Sequence, residues 1–214
     1  MDTKALFSLS YGLFVIGAEQ DGKLNGMINN TLMQATCSPL CVTLTLAKGG
    51  LTHDMAAATG LFSASVLCKG ADFGLFKHFG FQSGRDCEKF GGAYPWAADS
   101  QGLPYLTEMA CARFSCRVVQ SADLGTHTWF LADVADAAVL SDAPPVTYAD
   151  YHREIKPKPA APAPTHPNEP AGSPGTGLRR WRCKICGYIH EGESLPADFI
   201  CPLCKHGAVD FEEI

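Results

Sequence analysis

The 214 residues carry 17 Lys/Arg against 22 Asp/Glu, a formal net charge of −5, and 46% of them are hydrophobic. The acidic balance excludes a nucleic-acid or anionic-membrane binder that works by charge, because such surfaces are neutralised by an excess of Lys and Arg. The length accommodates one domain with a sizeable core plus a small module, and no apolar run in the sequence reaches the roughly 18 residues that span a bilayer.

In chain order, the apolar stretch Ala5 to Ala18 follows a single Lys4, but Asp2 cancels that charge, Tyr11-Gly12 interrupts the run, and no small-x-small cleavage site precedes Glu19. It reads as part of a folded domain, not as a secretion signal. Leu13 to Ala18 predicts a strand, Asp21-Gly22 the tight turn of a hairpin, and Lys23 the start of a second strand. From Asn25 to Thr36 the sequence is polar for an interior strand, with amide and hydroxyl side chains spaced along it; such a strand faces water or a ligand. Cys41 to Leu46 alternates, placing Val42, Leu44 and Leu46 on one face.

Lys48-Gly-Gly leads into Thr52, the expected N-cap of a short Ala-rich helix that stops at Gly60. Free N–H groups at that helix start, beside Lys48, suit an anion, although an ordinary capped surface helix carries the same signature. Leu61 to Leu67 predicts another strand, then a short helical stretch capped by Asp72 and ended by Gly80. Phe79 to Phe90 is charge-rich and glycine-bounded, and reads as loop. Cys111 to Val119 alternates again, with Ala112, Phe114, Cys116 and Val118 inward and Arg113, Ser115 and Arg117 outward. After a turn at Asp123-Leu-Gly125, Thr126 to Val134 forms the last long strand. Short alternating strands with a few small helices predict a mainly β (α+β) domain, a barrel with helical decoration. No G-x-G-x-x-G follows a strand, so a Rossmann dinucleotide site is unsupported.

Lys156 to Gly177 holds seven prolines separated largely by Ala, Gly and Ser. Such a segment prefers extended polyproline II at about 3.1 Å per residue and reaches about 65–70 Å. The expected organisation is a first domain over 1–155, a Pro-rich flexible linker over 156–178 and a small domain over 179–214.

That tail contains Cys183-x-x-Cys186 and Cys201-x-x-Cys204, two knuckles that together make a tetrahedral thiolate cage suited to zinc or iron. Its five Lys/Arg against six Asp/Glu argue against a zinc ribbon on nucleic acid. The other six of the ten cysteines sit in apolar or alternating contexts, where reduced Cys acts as a small hydrophobe, and this predicts a cytoplasmic location.

The pattern Trp181-x-Cys-x-x-Cys-Gly-Tyr188 with Pro196-Ala-Asp198-Phe-x-Cys-Pro202-x-Cys resembles rubredoxin, an electron carrier with one iron. The segment between the knuckles is shorter than in free-standing rubredoxins, and Lys205 stands where Gly commonly follows the last Cys, so zinc stays open beside iron. Residues 2–158 carry a second resemblance, through Ser10-Tyr-Gly-Leu, Asn25-Gly, Asn30-Thr31-x-x-Gln34, Thr52-His53-Asp54, Ser83-Gly-Arg-Asp86 and Gly125-Thr-His127-Thr. These are similar to the flavin reductase family, split β-barrels that bind FMN and dimerise. The combination is similar to the high-molecular-weight rubredoxin type.

The resemblance implies an enzyme that oxidises NADH or NADPH, passes electrons through FMN to an iron held by Cys183, Cys186, Cys201 and Cys204, and delivers them to a flavodiiron-type protein reducing O2 or NO. It implies that Asn30, Thr31 and Gln34 meet the isoalloxazine edge. Lys48, Thr52 and His53 then meet the phosphate, with Ser83 and Arg85 completing that site or the ribityl contacts. His127 falls near where the nicotinamide approaches. Two other readings stand beside this one: a reductase that supplies reduced flavin to a monooxygenase, and a non-catalytic electron carrier or sensor with structural zinc.

Overall fold

Strand β1 (Phe14–Gln20) is buried along most of its length because successive side chains enter two different cores. Phe14 and Ile16 pack with Val42, Leu44, Phe62 and Phe130 in one, while Leu13 and Val15 pack with Leu75, Phe76, Phe79 and Phe90 in the other. A strand covered on both faces reads as a continuous apolar run, which is how Leu13 to Ala18 reads. The computed structural model describes residues 5, 8–157, 179–184, 188–201 and 207–214. The chain divides into two compact units, Met1–Ile155 and Lys156–Ile214. The expected proline linker falls largely on 158–178, outside the described residues.

In the first unit β1 turns through Asp21 (φ 52°) and Gly22 (φ 79°) into β2 (Lys23–Asn29), with Gln20 opposite Lys23. Two central residues at positive φ make the hairpin turn whose twist matches that of the strands, as Asp-Gly predicts. There follow β3 (Met33–Cys37), β4 (Leu40–Ala47), α1 (Leu51–Thr59), β5 (Leu61–Leu67), α2 (Phe73–Gly80), the short β6 (Trp96–Ala98) and β7 (Pro104–Leu106), then β8 (Ala110–Asp123) and β9 (His127–Val139). Seven strands form one sheet in the order β2-β1-β5-β8-β9-β4-β3, antiparallel throughout. The sheet curls around the core that Phe14, Ile16, Val42, Leu44 and Phe130 share, which is the mainly β, barrel-like architecture expected.

Three local expectations need correction. The polar stretch Asn25 to Thr36 is two strands, because Asn29 Oδ1 accepts from the Thr31 amide at 2.7 Å and this Asx-type turn breaks the ladder. β2 and β3 then lie at opposite edges of the sheet. Helix α1 is capped by Gly50, which has no side chain to offer, and Thr52 is buried in its first turn. Finally, Ser115 is fully buried instead of facing outward. The β6–β7 hairpin covers that face of the sheet: Gln101 donates to Ser115 Oγ at 2.5 Å, Ser63 Oγ donates to the Pro104 carbonyl, and the Leu106 amide donates to Ser65 Oγ at 3.0 Å. Strict alternation cannot report a second covering layer. The Asp72 cap of α2, accepting from the Leu75 amide at 2.8 Å, and the left-handed Gly60 that ends α1 (φ 70°) are as predicted.

The second unit is built on β10 (Arg179–Cys183), paired on either side with β11 (Ile189–Gly192) and β12 (Phe211–Glu213). Trp181 and Phe211 are buried. Phe199 lies 4.3 Å from the His190 ring and 5.3 Å from that of Phe211, so these rings form a miniature aromatic core.

Candidate functional site

Helix α1 begins where β4 runs out, and its start is the meeting point of most of the residues singled out above. Because Gly50 caps without a side chain, the amides of Leu51, Thr52 and His53 open the helix with no side-chain cap, at its positive dipole end. The Lys48 amide donates to the Thr126 carbonyl at 3.0 Å, and Ala47 pairs with His127 across β4 and β9. The start of α1 and the β8–β9 turn are thereby locked together. His127 itself is exposed, with Nδ1 2.8 Å from Thr126 Oγ1.

The loop after α2 reaches the same place from the other side. Arg85 donates to Asp54 Oδ2 at 2.7 Å and to the Gly49 carbonyl at 3.3 Å. Ser83 Oγ accepts from the Arg85 amide at 3.1 Å. Gly84 lies so close to the Asn25 side chain that a Cβ at this position would overlap its amide. Asn25 in turn donates to Thr52 Oγ1 at 2.8 Å, and its buried Oδ1 has no hydrogen-bond partner.

His53 sits between these segments with both ring nitrogens engaged: Nδ1 is 2.9 Å from Asp54 Oδ1 and Nε2 is 2.8 Å from Thr128 Oγ1. The hydrogen bond to His53, then the Arg85 guanidinium, hold the Asp54 carboxyl below the usual carboxylate range. Lys48 lies 2.6 Å from Asp123 and, with the Gly125 amide, holds that carboxyl low as well. Lys48 and Arg85 are each paired with a carboxylate, a partner that an incoming anion can replace.

The expected isoalloxazine residues are less tightly grouped. Thr31 Oγ1 donates to the Thr45 carbonyl at 2.7 Å, and Asn29 donates to the same oxygen at 2.9 Å. Asn29, not Asn30, therefore ties the end of β2 to β4. Asn30 is half-buried, with no side-chain hydrogen bond among the described residues. Gln34 stands exposed on β3, opposite Val42, and donates to Cys37 Sγ at 3.3 Å. Lys48, Thr52, His53, Ser83, Arg85 and His127 thus come together around α1, Thr31 lies next along β4, and Gln34 is on the outer strand beyond. Asp54, Asp123 and Thr128 were missed as partners. Asp54 had a signal, its place in Thr52-His53-Asp54, whereas Asp123 and Thr128 become partners only through strand pairing.

The residues fit a flavin nucleotide: uncapped helix amides and two exchangeable cations for a phosphate, an unpartnered half-buried amide at Asn30 for a polar ring edge, and a close-packed glycine loop beside them. Outside this arc the same loop walls a cleft of about 590 Å³, together with Lys23, Leu24, Phe90 and Trp96.

In the second unit Cys183 and Cys201 are 1% and 0% exposed. The Cys183 amide donates to the Tyr188 carbonyl at 2.8 Å and the Lys184 amide to the Asp210 carbonyl at 2.8 Å. Cys186 and Cys204 lie outside the described residues. A set of four cysteine sulfurs suits a tetrahedral iron or zinc ion.

Comparison with known proteins agrees with both units. Residues 6–157 match the flavin reductase-like domain family and residues 181–212 the rubrerythrin, rubredoxin-like domain family. The chain is 35% identical to a high molecular weight rubredoxin of Moorella thermoacetica over 100% of both chains. It is 38% identical to a ferric-chelate reductase (NAD(P)H) of Archaeoglobus fulgidus, over 71% of this chain and 89% of that protein. Among solved structures, an NADH:FAD oxidoreductase of Streptomyces globisporus shares the fold with a TM-score of 0.61 at 22% identity, covering 67% of this chain and 84% of that one. The chain belongs to the flavin reductase-like family, in the high-molecular-weight rubredoxin form that joins a flavin-binding oxidoreductase domain to a rubredoxin-like electron carrier.

Proposed function

We propose that the protein oxidises NAD(P)H at an FMN held by the first unit and passes the electrons to one iron held by Cys183, Cys186, Cys201 and Cys204. The observation that carries this reading is the convergence of Lys48, His53, Arg85 and His127 on the start of α1, in a chain that also carries a rubredoxin-like tail. Bound FMN supplies the chemistry that joins a two-electron donor to a one-electron acceptor.

The chain's own residues do the rest. The amides of Leu51, Thr52 and His53 bind the phosphate, while Lys48 and Arg85 exchange their carboxylate partners for it. Ser83 serves the same end or the ribityl chain. Asn30, Thr31 and Gln34 meet the polar edge of the ring. His127, exposed beside Ala47, orients the incoming nicotinamide. His53 acts through Thr128 and Asp54, since both its ring nitrogens are engaged. NAD(P)H as donor is supported by the relative from Archaeoglobus fulgidus, whose name specifies it.

A flavodiiron-type protein reducing O2 or NO as final acceptor, a homodimeric assembly and a cytoplasmic location are the further parts of this reading. They rest on the resemblance of the whole chain to high-molecular-weight rubredoxins. Among the described residues, no helix is long and apolar enough to cross a membrane. The domain reading is that 1–155 works as the flavin module, 156–178 as a flexible tether and 179–214 as the carrier.

The test is the visible spectrum of the purified full-length protein before and after anaerobic NADH or NADPH. Flavin and ferric-tetrathiolate bands that both bleach are expected. Residues 1–158 alone are expected to keep the flavin band and to oxidise NAD(P)H with an artificial acceptor. A full-length protein that binds no added FMN, or whose flavin does not bleach with either nucleotide, overturns the reading.

A further inference from the structure

Lys89 is 2% exposed, an unusual place for an ammonium group. Its Nζ donates to the carbonyl of Gln82 at 2.6 Å and to that of His78. In return the Lys89 carbonyl lies 2.9 Å from His78 Nε2. His78 is in the last turn of α2 and Gln82 opens the following loop, so this one side chain fastens both ends of the segment 82–89. Between those ends lie Ser83, Gly84 and Arg85. Elsewhere the loop is held by the Arg85 bonds to Asp54 and to the Gly49 carbonyl and by the Asp86 and Cys87 amides, which donate to the Ser83 carbonyl, while Gln82, Ser83, Arg85 and Asp86 are all exposed.

We infer that Lys89 is a positioning residue, a buried cation that pins the 82–89 loop to the end of α2 so that Ser83 and Arg85 are held at the start of α1. The helix end favours this cation through its dipole and its open carbonyls. A buried ammonium is retained only when such acceptors surround it. Burial pushes the Lys89 pKa down, and the neighbouring Cys87 acts in the opposite direction. The consequence for ligand binding rests on the proposed placement of a flavin phosphate between Arg85 and α1; the pinning itself does not.

The experiment uses full-length protein stripped of flavin, as wild type, Lys89→Met, His78→Phe and Arg85→Met. Methionine keeps the length of the lysine stem, while phenylalanine keeps an aromatic ring against Phe79 and Tyr94 and removes only the bond to the Lys89 carbonyl. Hydrogen exchange in the peptide containing the Asp86 and Cys87 amides reads the pinning, and FMN and riboflavin affinities read its use. Losing a buried charged hydrogen-bond partner is expected to speed exchange at those two amides by about tenfold or more. FMN affinity is expected to weaken by a similar factor while riboflavin, which lacks the phosphate, is bound as before. In the Arg85→Met background the added Lys89→Met change is expected to cost FMN nothing further.

Unchanged exchange at Asp86 and Cys87 in both Lys89→Met and His78→Phe overturns the inference. So does an equal loss of FMN and riboflavin in Lys89→Met, which is general damage to the fold. So does an FMN-specific loss in Arg85→Met that neither Lys89→Met nor His78→Phe reproduces. Faster exchange with no FMN-specific loss in Arg85→Met or Lys89→Met leaves the pin standing and overturns the placement of the phosphate.

Discussion

His53 Nε2 lies 2.8 Å from Thr128 Oγ1, across 75 positions of sequence. Through Asp54 the same imidazole is linked to Arg85, so one chain of four side chains joins the 82–89 loop, helix α1 and the strand that begins with His127. A histidine with both ring nitrogens committed orders its surroundings. Thr128→Val is expected to leave the fold intact, to loosen the register between α1 and β9, and to lower NAD(P)H oxidation more than FMN affinity. Steady-state rates and FMN titration on the same preparation check it.

Asp54 gives a pH signature. Its folded pKa is depressed, chiefly by His53 and then by Arg85. Its contribution to stability is therefore complete above the unfolded value, about 4, and is lost as pH falls through the folded value. The side chain is 45% exposed, so the contribution is small, about 0.2–1 kcal/mol at neutral pH. Asp54→Asn should lower the melting temperature by no more than about 4 °C at pH 7. The gap from wild type should close in acid below about pH 4, and thermal unfolding at pH 7 and pH 3 checks the sign.

Gly84 is required for contact and not for an unusual backbone angle. A methyl group there would overlap the Asn25 side chain, which in turn holds Thr52. Gly84→Ala should push the loop off α1 and cost about 1–3 kcal/mol. FMN affinity should fall by at least as much as in Arg85→Met, since Arg85 is displaced with the loop. An FMN titration of the purified variant against wild type checks this.

Cys201 is 0% exposed, directly behind the exposed Ile200. Cys201→Ser replaces a soft thiolate by a hydroxyl that binds iron poorly. It should bleach or shift the iron-thiolate bands and abolish electron delivery to an external acceptor, leaving the flavin band and NAD(P)H oxidation with an artificial acceptor unchanged. Iron analysis of native protein should return one iron per chain; one zinc and no iron would refute the assignment.

The proline segment Lys156 to Gly177 predicts a kinetic effect. A tether of that reach sets an effective concentration in the millimolar range for its cargo, so the carrier module can load at the flavin and move on to an acceptor. Deleting most of its prolines should slow acceptor reduction while NAD(P)H oxidation with an artificial acceptor is unchanged. Stopped-flow reduction of the iron centre against flavin bleaching separates the two steps, and equal rates in both proteins would reduce the segment to a spacer.

Several features are local, and the sequence by itself determined them. Asp21-Gly22 closes its hairpin because two adjacent residues can both adopt positive φ. Asp72 caps α2 because the carboxylate and the amide it accepts from are three residues apart. The knuckle spacing of Cys183, Cys186, Cys201 and Cys204 marks the rubredoxin-like tail, whose family residues 181–212 match. What only the tertiary structure decided depends on which surfaces meet. Ser115, opposite Ser63 across β8 and β5, reads as solvent-facing until the β6–β7 hairpin covers both. Asn29 makes the bond to Thr45 because the Asx turn at Thr31 ends β2 inside a polar stretch that reads as one strand. Thr52 is buried against Asn25 because Gly50 has taken the cap. Lys89, one charge among many in a glycine-bounded loop, becomes a buried pin only when α2 ends beside it, since no local pattern records how far a lysine lies from carbonyls that the fold brings near.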